Sequence, residues 1–183
     1  MPASSAPILV RPAIASDLDA VAALDAGFST DYVWQMEFVE EERNTQVSFR
    51  EVRLPRSMRV PASRSVAQLL AHWTDIPLFI VAETENRVHG YLAVANGTVS
   101  DLAVVTDCTV ARRARRRGIG TAMLSSAIDW AARSDHHRLI VETQSKNYPA
   151  ISFCRKRGLV FCGYNDRYYP NQDIALFFGV NLK

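Results

Sequence analysis

With 183 residues, 48% of them apolar, and a formal net charge of +2, the chain can bury one sizeable α/β core but carries no global field that marks a binder of nucleic acid or acidic membranes. Its three cysteines, Cys108, Cys154 and Cys162, are odd in number and lack zinc-ligand spacing, which fits buried free thiols in a reducing compartment better than a disulfide frame. Met1 to Pro7 lacks the charged start and apolar centre of a signal peptide, and no apolar run reaches membrane-spanning length. A cytoplasmic protein with one domain over residues 1–183 is expected, without metal.

Ile8 to Arg11 is a short apolar run stopped by Pro12, as suits an edge strand, because proline cannot donate to a central ladder. Ser16 offers a helix N-cap, with Asp17 and Asp19 in the first turn and Leu18, Val21, Ala22 and Leu24 on one apolar face; this helix should end near Asp25 to Gly27. Tyr32 to Val39 and Val47 to Leu54 alternate across the polar link Glu40 to Thr45 and read as a hairpin, with Arg50, Glu51 and Arg53 on its solvated face. Pro55 to Ser63 has no periodicity and reads as a connection. Arg64 to Thr74 is helical, with Val66, Leu69, Leu70 and Trp73 on one side, and Asp75-Ile76-Pro77 stops it.

Leu78 to Glu83, Val88 to Val94 and Val99 to Val110 then form an antiparallel meander, the last two strands joined at Asn96-Gly97, a strong hairpin signal. Beyond an arginine run, Ala122, Met123, Leu124, Ala127, Ile128, Ala131 and Ala132 recur with helical spacing to about Ser134, and His136 and His137 read as surface groups that complement the helix dipole. Leu139 to Glu142 is a strand and Pro149 to Arg157 a helix closed by Gly158. Leu159 to Gly163 and Ile174 to Val180 are the last strands, on either side of the loop Tyr164 to Gln172.

The richest chemistry lies at the strand-to-helix hinge Arg115-Arg116-Arg117-Gly118-Ile119-Gly120-Thr121. The first turn of a helix presents unpaired N–H groups and the positive end of its dipole, a ready site for phosphate. Gly118 and Gly120 would let a ligand approach the backbone, and Arg115 and Arg117 could pair with phosphate oxygens. The plain alternative is a turn that binds nothing. Neither the three-glycine dinucleotide fingerprint nor the Gly-Lys-Ser/Thr of a P-loop is present.

The pattern R-x-x-G-x-G at such a junction resembles the acyl-CoA loop of the GNAT superfamily of N-acetyltransferases. A second family pattern, N-x-x-A-I-x-F-Y-x-x-x-G-F, is matched by Asn147, Ala150, Ile151, Phe153 and Gly158, with Leu159 at its last position. The resemblance is firmest from Asp101 to Leu182 and implies an α/β (α+β) chain of GNAT type, a central mixed sheet flanked by helices, using acetyl-CoA. Ala23-Leu24-Asp25, Phe28-Ser29-Thr30-Asp31, Arg50-Glu51-Val52, Phe161-Cys162-Gly163 and Tyr169 are also similar to streptothricin acetyltransferases. That implies an aminoglycoside-like or streptothricin-type amine as acceptor; a protein amino terminus or lysine, a polyamine or a small-metabolite amine stay open.

Acetyl transfer to an amine needs an unprotonated nucleophile, a stabilised oxyanion and a proton for the departing thiolate. An alkyl ammonium has a pKa near ~10.4, so a nearby carboxylate must take its proton. By resemblance Asp107 is the leading base and Asp101 the alternative, while either could simply cap a strand or pair with an arginine. The family resemblance also places cofactor contacts at the backbone of Cys108 and Val110, at Arg115, Arg117, Gly118, Ile119, Gly120 and Thr121, and at Asn147.

The family tyrosine that often protonates the thiolate is replaced here by Cys154. Cys154, Tyr169 or Tyr164 could donate instead, or the thiolate could leave unassisted; Cys154 is equally read as a small buried hydrophobe. Phe28, Tyr32, Trp34 and Phe38, with Asp31, Glu37 and Glu40 to Glu42, fall in the segment that shapes the acceptor site in the family, or else are core and solvated turn. Two competing readings are a non-catalytic acyl-CoA sensor and a nucleic-acid module acting through Arg112 to Arg117. The second lacks interleaved aromatic platforms. An edge strand at the carboxyl end admits a homodimer.

Overall fold

The computed structural model describes residues 7–99 and 101–182; Met1 to Ala6, at the start of the stretch read for a leader, and Ser100, within an expected strand, lie outside the described residues. In chain order, β1 (Leu9–Pro12) leads into α1 (Leu18–Ala22), the long strands β2 (Phe28–Glu41) and β3 (Asn44–Val60), and α2 (Val66–Ala71). The meander β4 (Leu78–Thr84), β5 (Arg87–Asn96) and β6 (Leu102–Val110) follows. Then come α3 (Ile119–Arg133), β7 (Arg138–Gln144), α4 (Tyr148–Lys156), β8 (Val160–Asn165) and β9 (Ala175–Asn181).

Seven of these strands form a mixed sheet in the order β1-β4-β5-β6-β7-β9-β8, as the α/β (α+β) reading expects, and β2 with β3 forms a separate ribbon. Within the large sheet β6 and β7 run parallel, joined by the α3 crossover, while the other neighbours run antiparallel. Alternation along each strand divides the apolar residues between two faces. Ile80, Leu92, Val94, Val105 and Leu139 meet Met123, Leu124 and Ala127 of α3 and Ile151 of α4. Val81, Tyr91 and Ala93 meet Val21 of α1, with Leu69 and Leu70 of α2 packed beside them. Each fully buried Leu, Ile or Met contributes about 1.5–3 kcal/mol, so this two-sided core fixes the strands that carry the site.

Several expectations need correction. The ribbon is much longer than the expected hairpin: β3 runs through Pro55 to Val60, where a connection was expected. Pairing passes from Thr30 opposite Met58 to Tyr32 opposite Arg53. A wide bulge thus holds Pro55, which has no N–H to give. Asn96 stays inside β5 and Gly97 N–H donates to Leu102 O at 2.7 Å, so the turn follows Asn96-Gly97 and β6 starts at Leu102 rather than Val99.

Asp17, rather than Ser16, holds the start of the first helix. Its buried carboxylate accepts from Ile14 N–H at 2.9 Å and from two nitrogens of Arg11, which also reaches Glu83. His136 is buried against Trp130, ring centroids 5.2 Å apart, and is not a surface group. Of the three free cysteines, Cys154 is buried while Cys108 and Cys162 are exposed. The open sheet edge near the carboxyl end is β8, because the final strand β9 lies between β7 and β8.

Candidate active site

β6 pairs with β7 from Leu102 to Val105, opposite Arg138 to Val141, and the two strands then part. β5 continues to hold the other edge of β6 as far as Val110. The edge of Thr106 to Val110 that faces β7 is therefore left outside the ladder. It lines a cleft of roughly 990 Å³, with Glu142, Thr143 and Gln144 opposite. Such an edge can take the strand-like hydrogen bonds of an extended ligand.

Within β6 the register slips by one residue. Ala93 lies opposite Asp107 but Val94 lies opposite Val105, so Thr106 has no counterpart. Cross-strand partners share a face, which puts Asp107 with Ala93 on the α1–α2 side of the sheet and Cys108 with Leu92 on the α3 side.

The cleft continues to the amino end of α3. Gly118 caps this helix with φ +88°, a conformation that costs other residues about 1–2 kcal/mol. Gly120 differs: an added Cβ there would meet Phe153 at an ordinary 3.7 Å, so the packing within the chain does not demand glycine. Because Gly120 lines the cleft, its missing side chain is room for a bound group. Thr121 and Ile119 also line it.

The arginines divide differently from the expectation. Arg115 Nε donates to Val110 O at 2.9 Å and its Nη2 to Gly27 O at 3.0 Å and Asp25 O at 3.4 Å. Its guanidinium thereby braces the end of β6 against the segment before β2. Arg117 is exposed and is absent from the lining of the cleft among the described residues, whereas Arg116, with φ +63°, belongs to it.

At the other end of the cleft is a cluster of charges. Arg64, just before α2, reaches Glu142 Oε1 on β7 at 2.6 Å and stands 4.0 Å from Asp107 Oδ2. Tyr168 OH donates to Glu142 Oε2 at 3.1 Å, and the Arg64 guanidinium lies 5.9 Å from the centre of the Tyr169 ring. Burial raises the Asp107 carboxyl above its ordinary value; Arg64 and a hydrogen bond from Thr106 oppose this, and Glu142 adds to it. A second cavity of roughly 720 Å³ opens on the α2 side, sharing Arg64, Thr106, Asp107 and Tyr169 with the first.

The acetyltransferase (GNAT) family profile matches residues 38–159. This chain belongs to the GNAT family. It is an acetyl-CoA-dependent acetyltransferase. Among known proteins it is 26% identical to a streptothricin acetyltransferase of Streptomyces lavendulae over 87% of this chain and 85% of that one. It is 34% identical to streptothricin acetyltransferase A of Bacillus subtilis (strain 168), over 51% of this chain and 56% of that relative's length. In fold it is similar to a crystal structure of nourseothricin acetyltransferase, with a TM-score of 0.78 at 22% identity, covering 96% of this chain and 99% of that one. A proposed streptothricin acetyltransferase from Bacillus anthracis str. Ames, solved in complex with acetyl coenzyme A, superimposes with a TM-score of 0.75 at 20% identity, covering 96% and 99%.

The remaining candidates of this GNAT chain sort by position. Asn147 lines the cleft, and its side chain accepts from Ala150 N–H at 3.2 Å, capping α4. Tyr169 is buried and lines both cavities; burial and Glu142 hold its phenol neutral, well above the ordinary value. Cys154 is fully buried, as its reading as a small hydrophobe expects, and burial pushes its thiol up to about 12. Asp101 sits in the turn before β6 with φ +68°, outside the cleft lining, so it is not placed to be the alternative base. Tyr164 packs on Phe49 of β3, ring centroids 5.4 Å apart, and does not reach in. Phe28, Asp31 and Tyr32 line the cleft; Trp34 packs among Phe49, Phe161 and Phe178 instead, and Phe38, Glu37 and Glu40 to Glu42 lie farther out on the ribbon, apart from the lining.

Arg64, Glu142 and Tyr148 were not singled out from the sequence as site residues. Tyr148 lines the cleft, with its ring 5.1 Å from that of Tyr32. Glu142 had a usable signal, a carboxylate ending the apolar run Leu139-Ile140-Val141. A buried Asp173 also escaped notice. It pairs with Lys146 and accepts from Gln144 Nε2 at 2.8 Å and Asn171 Nδ2 at 3.0 Å, tying the loop that carries Tyr168 and Tyr169 to the end of β7. Among the described residues no group of three or more His, Cys, Asp or Glu is arranged to hold a metal, and no helix is long and apolar enough to cross a membrane.

Proposed function

We propose that this protein moves the acetyl group of acetyl-CoA to a primary amine by direct attack, with Asp107 as the base. The observation that carries this reading is the position of Asp107 at the junction of two cavities, one reaching the helix start at Gly118 and one open toward α2. Bound acetyl-CoA supplies an activated acyl carbon and a thiol leaving group. The main-chain N–H groups of Gly118, Ile119, Gly120 and Thr121 would hold its diphosphate, with Arg116 supplying charge and Arg115 and Arg117 adding brace and field rather than direct contact. The free edge at Cys108 and Val110 would hold its pantetheine arm, and Asn147 would order the start of α4 beside it.

On the acceptor side, Asp107 takes the ammonium proton; a carboxyl raised above its ordinary value is a better match to that task than an unperturbed one. N–H groups of β6 around Cys108 to Val110 stabilise the developing oxyanion. Tyr169, neutral and close to Arg64, is the proton donor to the departing thiolate. The streptothricin acetyltransferases among its relatives support an aminoglycoside-like or streptothricin-type acceptor. Three free thiols accord with a cytoplasmic setting, and the exposed Val160 and Phe161 on edge strand β8 with a homodimer, which light scattering would test.

A thiol-release assay with acetyl-CoA and a panel of amines tests the reading. The panel should include streptothricin, a polyamine and a peptide with a free amino terminus. Streptothricin should give the highest kcat/KM; no release with any amine would overturn the transfer itself, and preference for the peptide would overturn the acceptor.

A further inference from the structure

We propose that Arg64 is a positioning residue: from the start of α2 it engages Glu142 and so leaves Asp107 charged and available to the acceptor ammonium. This inference rests on the reading of Asp107 as base. Both Glu142 oxygens are engaged, Oε1 by Arg64 at 2.6 Å and Oε2 by the Tyr168 hydroxyl at 3.1 Å. Asp107 is treated differently by the same guanidinium, which stays 4.0 Å away, beyond hydrogen-bond distance. One cation therefore serves two carboxylates unequally. The tight partner is fixed, and the loose one faces the neck between the two cavities.

The groups around Asp107 make this division matter. Arg64 faces it from just before α2, Glu142 from β7, Tyr169 and Tyr168 stand on the late loop beside Arg64, Tyr91 lies on β5, and Cys108 and Thr106 adjoin it on β6. Of these groups Arg64 carries the positive charge. Two carboxylates that share a site without a cation cannot both ionise readily, and one is held protonated. Burial already pushes Asp107 that way. Without Arg64, Asp107 would be the carboxyl that keeps its proton, and a protonated Asp107 cannot receive one from the amine. The position of Arg64 is set locally: Ser65 Oγ accepts from Gln68 N–H and caps α2 directly after it.

The test compares pH profiles of kcat/KM for Asp107→Asn, Arg64→Met, Arg64→Lys and the double variant Arg64→Met/Glu142→Gln, each checked for folding by circular dichroism. Arg64→Met should move the acidic limb up by roughly one to three pH units, with the KM for acetyl-CoA unchanged. Arg64→Lys should bring the limb back most of the way, and the double variant should too, because removing the Glu142 charge removes the need for the arginine. A general loss of rate in Arg64→Met with the limb at the wild-type pH, or a double variant whose limb stays where Arg64→Met put it, would overturn the positioning role while leaving Asp107 as base. An Asp107→Asn enzyme that keeps the wild-type limb would instead remove the base reading on which this one stands.

Discussion

The turn into α3 and the β2–β3 ribbon border the same cleft but are specified by opposite means. At the turn, a left-handed glycine at 118 and the fifteen-residue amphipathic helix after it set the geometry from neighbours in sequence. The ribbon is placed by distant contacts. Trp34 N–H donates to Ser145 O at 2.9 Å, Arg115 holds the carbonyls of Asp25 and Gly27, and Arg59 pairs with Asp25. An isolated two-stranded ribbon is marginal by itself, so these ties and the cluster of Trp34, Phe49, Phe161 and Phe178 supply its support. The cosubstrate end of the site is thus built in, and the acceptor end is held on. That difference predicts where each half will fail when a residue is changed.

The largest effect is expected at the junction. Asp107→Asn should cost about 10²- to 10⁴-fold in kcat/KM, with acetyl-CoA affinity by calorimetry near wild type. Equal losses in both quantities would mean that the residue belongs to the cofactor end. Gly118→Val should damage the built-in half: a β-branched residue at φ +88° costs about 1–2 kcal/mol and should weaken acetyl-CoA binding roughly tenfold, while the acceptor KM holds.

Arg115→Met should do the reverse and loosen the attached half. The acceptor KM should rise a few-fold, by the loss of one or two charged hydrogen bonds worth about 1.5–3 kcal/mol each in part, and amide exchange should quicken around Gly27. Unchanged exchange there would break the comparison.

The smallest functional effect is expected far from both, at Asp17→Asn, which should lower thermal stability by about 1–2 kcal/mol, or a few degrees, with activity at room temperature unaltered. The Arg11 guanidinium holds the Asp17 carboxyl below its ordinary value. Its contribution is therefore present above about pH 4 and is lost as pH falls through the lowered value, so the gap in Tm between wild type and Asp17→Asn should close in acid. A gap that persists at low pH would assign the effect to packing.

The same contrast explains what could be read from the residues alone. The order of strands and helices from β4 onward and the glycine hinge are local patterns, and they were legible, whereas the strand of Asp107 was singled out by the family resemblance and the capping of α4 by Asn147 was not foreseen. The directions of Arg115 and Arg117 were not, because both belong to the same three-residue run and only tertiary partners, Val110 O and Gly27 O, separate their fates. Arg64 lies in sequence amid Pro61, Ala62 and Ser63, with nothing to announce that its guanidinium crosses to β7. Pro55 misled for a physical reason: proline normally ends a strand, but this ribbon absorbs it in a bulge and resumes pairing at Met58.

The unmatched Thr106 gives β6 an arithmetic of odd and even. Residues before it count from one parity and residues after it from the other, so an unbroken ladder that paired Thr106 with Ala93, with no residue removed, would carry the carboxylate of Asp107 through to the side of the sheet that α3 covers and bring the Cys108 thiol round to the side of Arg64. A slip of pairing that changes no residue would thereby exchange an acid for a sulfur beside Arg64, which makes frame, as much as residue identity, an inherited property of this strand.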